Sequence, residues 1–255
     1  MQVVIVGTGN VATVLGKVIQ SAGHKIMQVL GRNEQNAKAL ANIFGCESGH
    51  DITTAYKHAD VYLFAISDNA LHHLYQNVHL GNKLVVHTAG SVSKDVLNNI
   101  SGNYGVIYPL QSLNKDAIAV PDIPLLIDGN SAETIAAIQN FAQTFSDQVS
   151  IANDDARLKF HIAAVIVSNF VNHLYALTDE FCVTEKIDFK KLMPLIHETA
   201  GRMQNLSPRD LQTGPAVRED IYTLGKHLQL LTTHPDLKYI YLKLTESILK
   251  FHHPK

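Results

Sequence analysis

Gly7, Gly9 and Ala12 stand at the spacing G-x-G-x-x-A, directly after the apolar run Val3-Val4-Ile5-Val6 and before a helix-forming stretch. The spacing suits the binding of a pyrophosphate. The first glycine allows a tight turn, the second lets backbone approach the phosphates, and a small third residue lets helix and strand pack closely. Amides that open a helix have no partner within it and point at an anion. Gly7, Gly9, Asn10 and Val11 are therefore the candidate pyrophosphate cradle. A strand-to-helix turn without ligand would use the same letters.

The next apolar run, 25–30, ends at Gly31-Arg32-Asn33. Where NAD is bound, an Asp or Glu at this strand end accepts from the ribose 2′-hydroxyl. No acid occupies 28–33, and Glu34 comes a little late. Arg32 offers a guanidinium fork suited to a 2′-phosphate, with Asn33 as a neutral donor beside it. The reading is NADP rather than NAD, against the alternative of a solvated loop arginine.

Groups able to move a proton form a second set. His87 opens His87-Thr88-Ala89-Gly90-Ser91 after a strand, and is either a proton donor near the nicotinamide or a histidine buried by packing. Ser67 follows another strand and would line the nicotinamide ribose. Along the helical stretch 156–185, His161, Ser168 and Asn172 fall within about 40° of one another at 100° per residue, with Asn169 roughly 80° from His161. This polar stripe interrupts Ile, Ala, Val and Leu, so it calls for a polar cleft, against the alternatives of a buried helix–helix hydrogen-bond network or plain solvent exposure. Lys159 lies about 160° from His161 and cannot share a site with it on one straight helix. His161, with Asn169 or His87, is the candidate for proton transfer or substrate orientation. Thr213, Gly214 and Arg218 either bind a substrate anion or cap a helix.

These groups need a scaffold, and the chain alternates to supply one. Strands are predicted over 3–6, 25–30, 61–66, 84–88, 104–108 and 124–127, and helices over 12–22, 34–44, 70–75, 94–100 and 132–145. That alternation indicates an α/β, doubly wound parallel sheet of Rossmann type. From 156 the pattern turns helical, over 156–185, 189–205, 219–231 and 237–251, with an irregular stretch at 206–217. An NADP-binding domain over 1–152 and an all-α domain over 153–255, with a ligand cleft between them, is the expected organisation.

The chain has 255 residues, 46% of them hydrophobic, and a formal net charge of −2. The charge leaves no footprint for nucleic acid or an anionic membrane surface. The most apolar run, 162–171, is short for a bilayer span, and the first strand begins where a signal peptide would stand. Two distant cysteines suit a reducing cytoplasm rather than a disulfide scaffold. None of the fourteen histidines sits at metal-ligand spacing with a third ligand, so no metal is expected.

Gly-Thr-Gly-Asn-Val-Ala at 7–12, His-Thr-Ala-Gly-Ser at 87–91, Tyr-Pro-Leu-Gln-Ser at 108–112, the helix with His161 and Ser168-Asn169-Phe170, and Thr-Gly-Pro-Ala-Val-Arg-Glu-Asp at 213–220 together resemble a bacterial Rossmann-like family. Its members are called NADP oxidoreductases, and its C-terminal half is a domain of unknown function. The N-terminal half is also similar to deazaflavin-dependent NADP oxidoreductases and pyrroline-5-carboxylate reductases, which share the pair seen at Gly9-Asn10. The resemblance implies NADP(H) binding and a helical, dimerising second domain. The lysine-then-asparagine pattern of β-hydroxyacid dehydrogenases is absent, since Ala163-Ala164 follow Lys159. The proline- and glycine-rich substrate loop of the pyrroline-5-carboxylate reductases is only faintly echoed by Thr213-Gly214-Pro215. The expected activity is hydride transfer to or from a small carbonyl, imine or alcohol by a homodimer. The alternative is a non-catalytic NADP-binding sensor or interaction protein.

Overall fold

The computed structural model describes residues 1–73, 78–117, 119 and 121–253. Contacts divide the chain into two compact units, Met1–Ser168 and Asn169–Lys255.

In the first unit β1 (Gln2–Val6), β2 (Lys25–Leu30), β3 (Glu47–Gly49), β4 (Val61–Phe64), β5 (Leu84–His87), β6 (Asn103–Pro109), β7 (Leu125–Gly129) and β8 (Val149–Ile151) form one eight-stranded sheet. Its order is β3-β2-β1-β4-β5-β6-β7-β8. The order reverses at β1, which pairs in parallel with both β2 and β4. Strand carboxyl ends diverge at such a switch point and leave a crevice.

Alternate residues of β1 explain its continuous apolar run. Val3 and Ile5 pack on one face with Leu15, Ile19, Leu40 and Phe44 of α1 (Asn10–Ser21) and α2 (Glu34–Phe44). Val4 and Val6 pack on the other with Tyr62, Phe64 and Leu71. A strand buried on both faces has no polar side to show.

Two features depart from the sequence-based expectation. Strand β7 runs antiparallel to β6, so the sheet is mostly and not wholly parallel. A parallel return needs a crossover, usually a helix, and the described residues between Pro109 and Leu125 form none. The edge strands β3 and β8 were not predicted. Each has three largely exposed residues, and an edge strand of that kind carries no apolar run to read.

The helix predicted over 70–75 is observed as α3 (Asp68–His72), and the end of that range lies outside the described residues. The one predicted over 94–100 is a short 3-10 turn, Lys94–Leu97. Helix α4 (Ala132–Ala142) crosses from β7 to β8. Helix α5 (Asp154–Ala164) belongs to the first unit, so the unit ends beyond the expected 152/153 boundary. The reason is chemical: Asp154 accepts from Ser93 Oγ at 2.5 Å, and the buried Arg157 reaches the carbonyls of Ala89 and Val92.

A π-helical segment, Val165–Phe170, interrupts the predicted 156–185 helix before α6 (Val171–Thr184). It contains more residues per turn than an α-helix, so the 100° spacing no longer relates His161 to Asn172. The whole helix, Asp154–Thr184, is long and apolar enough to cross a membrane by length and composition. Reading only the ten-residue apolar run missed this, because Ser168 and Asn169 are tolerated within the longer window. The second unit continues with α7 (Met193–Arg202), α8 (Ile221–Leu230) and α9 (Pro235–His252).

Candidate nucleotide site and adjoining proton donors

A cavity of about 560 Å³ opens at the switch point. Gly7, Thr8, Gly9, Gly31, Arg32, Asn33, Asn36, His50, Ser67 and His73 are among its lining residues. The turn that forms one wall depends on glycine. Gly7 has φ +128°, and a Cβ there would lie 2.1 Å from the Ala65 carbonyl oxygen at the end of β4. Gly9 differs, since a Cβ on it would meet nothing within 4 Å. The space before Gly9 is therefore open for a ligand.

Helix α1 begins at this turn with no side-chain cap on its first amides and no acid in its first turn. Every other long helix of the sheet unit has a capping side chain: Asn33 for α2, Ser131 for α4 and Asn153 for α5. An uncapped N-terminus beside an open glycine surface fits an anion.

Arg32 lines the same cavity, is exposed, and forms no ion pair among the described residues. Asn33 accepts from Asn36 N at 2.9 Å as the cap of α2, which leaves its amide group to donate. Glu34, next to Asn33, pairs with His50 at 3.2 Å. Ser67 lines the cavity and caps the short α3. Asn10 and Val11 are not lining residues. The Asn10 side chain accepts from Lys115 N at 3.3 Å, and Val11 packs on the core, so only their backbone remains for the pyrophosphate.

His87 is fully buried. Its Nδ1 accepts from Ala89 N at 3.1 Å, and its Nε2 faces the Ser93 carbonyl at 3.3 Å. Both nitrogens thus serve the loop that follows β5. Burial, with the Arg157 guanidinium adding to it, pushes the imidazole pKa down to about 4. His87 is a neutral brace for this loop.

His161 is half-buried, and its Nδ1 lies 3.0 Å from the Tyr108 hydroxyl at the end of β6. The two rings meet edge to face with centroids 5.8 Å apart. The imidazole also rests on Gly90, where a Cβ would stand 2.7 Å from Cγ and Nδ1. Asn169, exposed in the π-helical segment, falls in the second unit. Tyr108 opens the 108–112 motif that the sequence places after a strand, but its letter alone assigned it no role, and Arg157 was not singled out at all. Arg157, a charge near the start of an otherwise apolar helix, was a weaker signal.

The comparisons agree with this geometry. Residues 2–90 match the family described as NADP oxidoreductase coenzyme F420-dependent, and residues 123–248 match a domain of unknown function, DUF2520. A Bacteroides fragilis protein described as a "putative NADP oxidoreductase" is 36% identical, with 98% of each chain covered and a TM-score of 0.91. The chain belongs to this NADP oxidoreductase-like family. Members of more distant groups share its fold. The Streptococcus pyogenes 1-pyrroline-5-carboxylate reductase is 14% identical over 98% of each chain, with a TM-score of 0.64. The Aspergillus terreus reductive aminase, solved with NADPH and ethyl-5-oxohexanoate, is 16% identical over 98% of this chain and 93% of that one, with a TM-score of 0.72. A comparison with curated proteins gives no match.

Proposed function

We propose that this family member is an NADP(H)-dependent oxidoreductase that transfers a hydride to or from a small carbonyl, imine or alcohol. The observation that carries the reading is the cavity joining the uncapped start of α1 to Arg32. The amides of the Gly7–Val11 turn would hold the pyrophosphate, Arg32 and the Asn33 amide the 2′-phosphate, and Ser67 the nicotinamide ribose. Bound cofactor supplies the hydride, and the protein orients it. The fold shared with an NADPH-bound reductive aminase and a pyrroline-5-carboxylate reductase favours C=N or C=O bonds as substrates.

Thermal unfolding with NADPH, NADP, NADH and NAD tests the cofactor. Ligand at about 100 times its dissociation constant stabilises by roughly 2.7 kcal/mol. The phosphorylated pair should raise the midpoint most. A charge-assisted contact contributes about 1.5–3 kcal/mol, so Arg32→Ala should weaken NADPH on the order of 10- to 100-fold and leave NADH nearly unchanged. No shift with any of the four nucleotides would remove the reading.

We also infer a homodimer through the helical half. Among the described residues of the second unit, only Cys182, Ala216, Leu224 and Leu231 are buried apolar side chains, while Ile221, Tyr222, Leu230 and Tyr239 are exposed. So small a core needs further burial to be stable. Light scattering should give twice the chain mass; a monomer at micromolar concentration rejects the dimer.

A further inference from the structure

The loops at the carboxyl edge of the sheet are linked in series. The Gly7 turn abuts the Ala65 carbonyl. Three residues on, the Asp68 carboxylate accepts from Ser91 Oγ. Gly90, beside Ser91, carries the His161 ring, and His161 meets Tyr108. The series runs from the pyrophosphate turn, past Ser67 on the cavity wall, to a phenol–imidazole pair. Each link joins residues of one compact unit.

We propose that Tyr108 is the proton donor of the reaction and that His161 resupplies its proton. This rests on the oxidoreductase reading above. Tyr108 Oη has the chemistry of a neutral acid, and its side chain is buried to 9% exposure. Burial and the nearby Asp68 carboxylate push its pKa up, against a smaller opposing effect of Arg157. The hydroxyl therefore stays protonated at neutral pH. His161 is partly open to solvent, as a group that exchanges protons with water must be. His87 does not fill this role, because its own loop holds both ring nitrogens.

The step balances. A C–H bond forms with the hydride from the cofactor, and the C=N or C=O π pair moves onto nitrogen or oxygen. Tyr108 Oη gives its proton to that atom. His161 Nδ1–H returns a proton to Tyr108 while His161 Nε2 takes one from water, and exchange of the ring protons with solvent restores the Nδ1–H form before the next turnover. The substrate is reduced, the nicotinamide is oxidised, and one solvent proton is consumed. This order requires the Nδ1–H form of His161, so that the Tyr108 oxygen accepts from the imidazole and its own proton faces the substrate.

Tyr108→Phe keeps the ring and removes the hydroxyl, so it separates the proton from the packing. NADPH should raise the midpoint of wild type and variant alike. With 2-methyl-1-pyrroline and cyclohexanone as probes, kcat should fall at least about 100-fold and KM change little. Long-range ¹⁵N–¹H spectra, with His161 assigned by difference from His161→Gln, should show the proton on Nδ1 in the wild type. Turnover of Tyr108→Phe within about threefold of wild type overturns the proposal. So does a His161 whose bare Nδ1 accepts the Tyr108 hydroxyl, and this decides the matter when neither probe turns over. Absence of NADPH stabilisation in the wild type instead rejects the oxidoreductase reading itself, a separate result.

Discussion

Gly7→Ala should destabilise the protein by about 3 kcal/mol or more, whereas Gly9→Ala, two residues away, should leave folding nearly untouched and remove nucleotide binding. At Gly7 the backbone has φ +128°, a conformation that costs a residue with a side chain on the order of 1–3 kcal/mol. The added methyl would also stand 2.1 Å from the Ala65 oxygen and 2.7 Å from its carbonyl carbon. Ala65 N donates to Val6 O, so the obstacle is backbone tied to the strand it would have to leave. Relief requires β1 and β4 to part at the centre of the sheet. A typical domain has only about 5–15 kcal/mol of stability, so the variant loses a large share of it. Gly9 has φ −84°, which alanine adopts, and its Cβ would occupy open space. That space is where backbone must approach the pyrophosphate. Urea unfolding of both variants, with and without NADPH, checks the pair. A Gly9→Ala protein that NADPH stabilises as well as wild type would sink the assignment of the cradle.

Acid should weaken the fold through His87, by about 2–3 kcal/mol between pH 7 and pH 4.5. Burial first, and the Arg157 charge second, hold its folded pKa down at about 4, against 6.5 in the unfolded chain. The unfolded state therefore takes up a proton over a range in which the folded state refuses it. A lowered histidine pKa leaves stability whole above pH 6.5 and removes it progressively as pH falls towards 4. Each pH unit in that window is worth about 1.36 kcal/mol. Asp154, held below the usual carboxylate range by Ser93, Arg157 and Lys94, adds its own loss at lower pH, after its own burial has worked the other way. His87→Gln cannot take up the proton. It should be less stable than wild type at pH 7, because the loop loses its brace, yet its difference between pH 7 and pH 4.5 should shrink by roughly 2–3 kcal/mol. Equal pH slopes in the two proteins would mean that His87 is not held neutral by its surroundings.

The two outcomes bear on each other, because Gly7 and His87 shape loops that meet at Asp68 and Ser91. His87 keeps Ala89 in place, and Arg157 holds the Ala89 and Val92 carbonyls. These contacts fix Gly90, on which the His161 ring lies. Proton chemistry at Tyr108 thus depends on residues that never touch substrate.

What the sequence determined by itself was local. The buried strand of Val3–Val6, the glycine turn after it, the alternation that builds the sheet and the change to helices all follow from period, glycine placement and burial within short stretches. Arg32 and Ser67 were readable as cavity residues because each follows a strand directly, and strand ends in such a sheet share one edge. The tertiary structure decided everything that joins distant segments. It reversed β7, because the link before it holds no described crossover helix. It gave three-residue edge strands their identity through pairing alone. It also inserted a π turn that no side-chain spacing announced. Above all, it paired His161 with Tyr108, 53 positions earlier in the chain, and turned His87 inward. A histidine's letter and its position after a strand do not say which groups its nitrogens will meet. Only the packed loops fix those partners, and the partners determine whether the imidazole moves a proton or braces a turn.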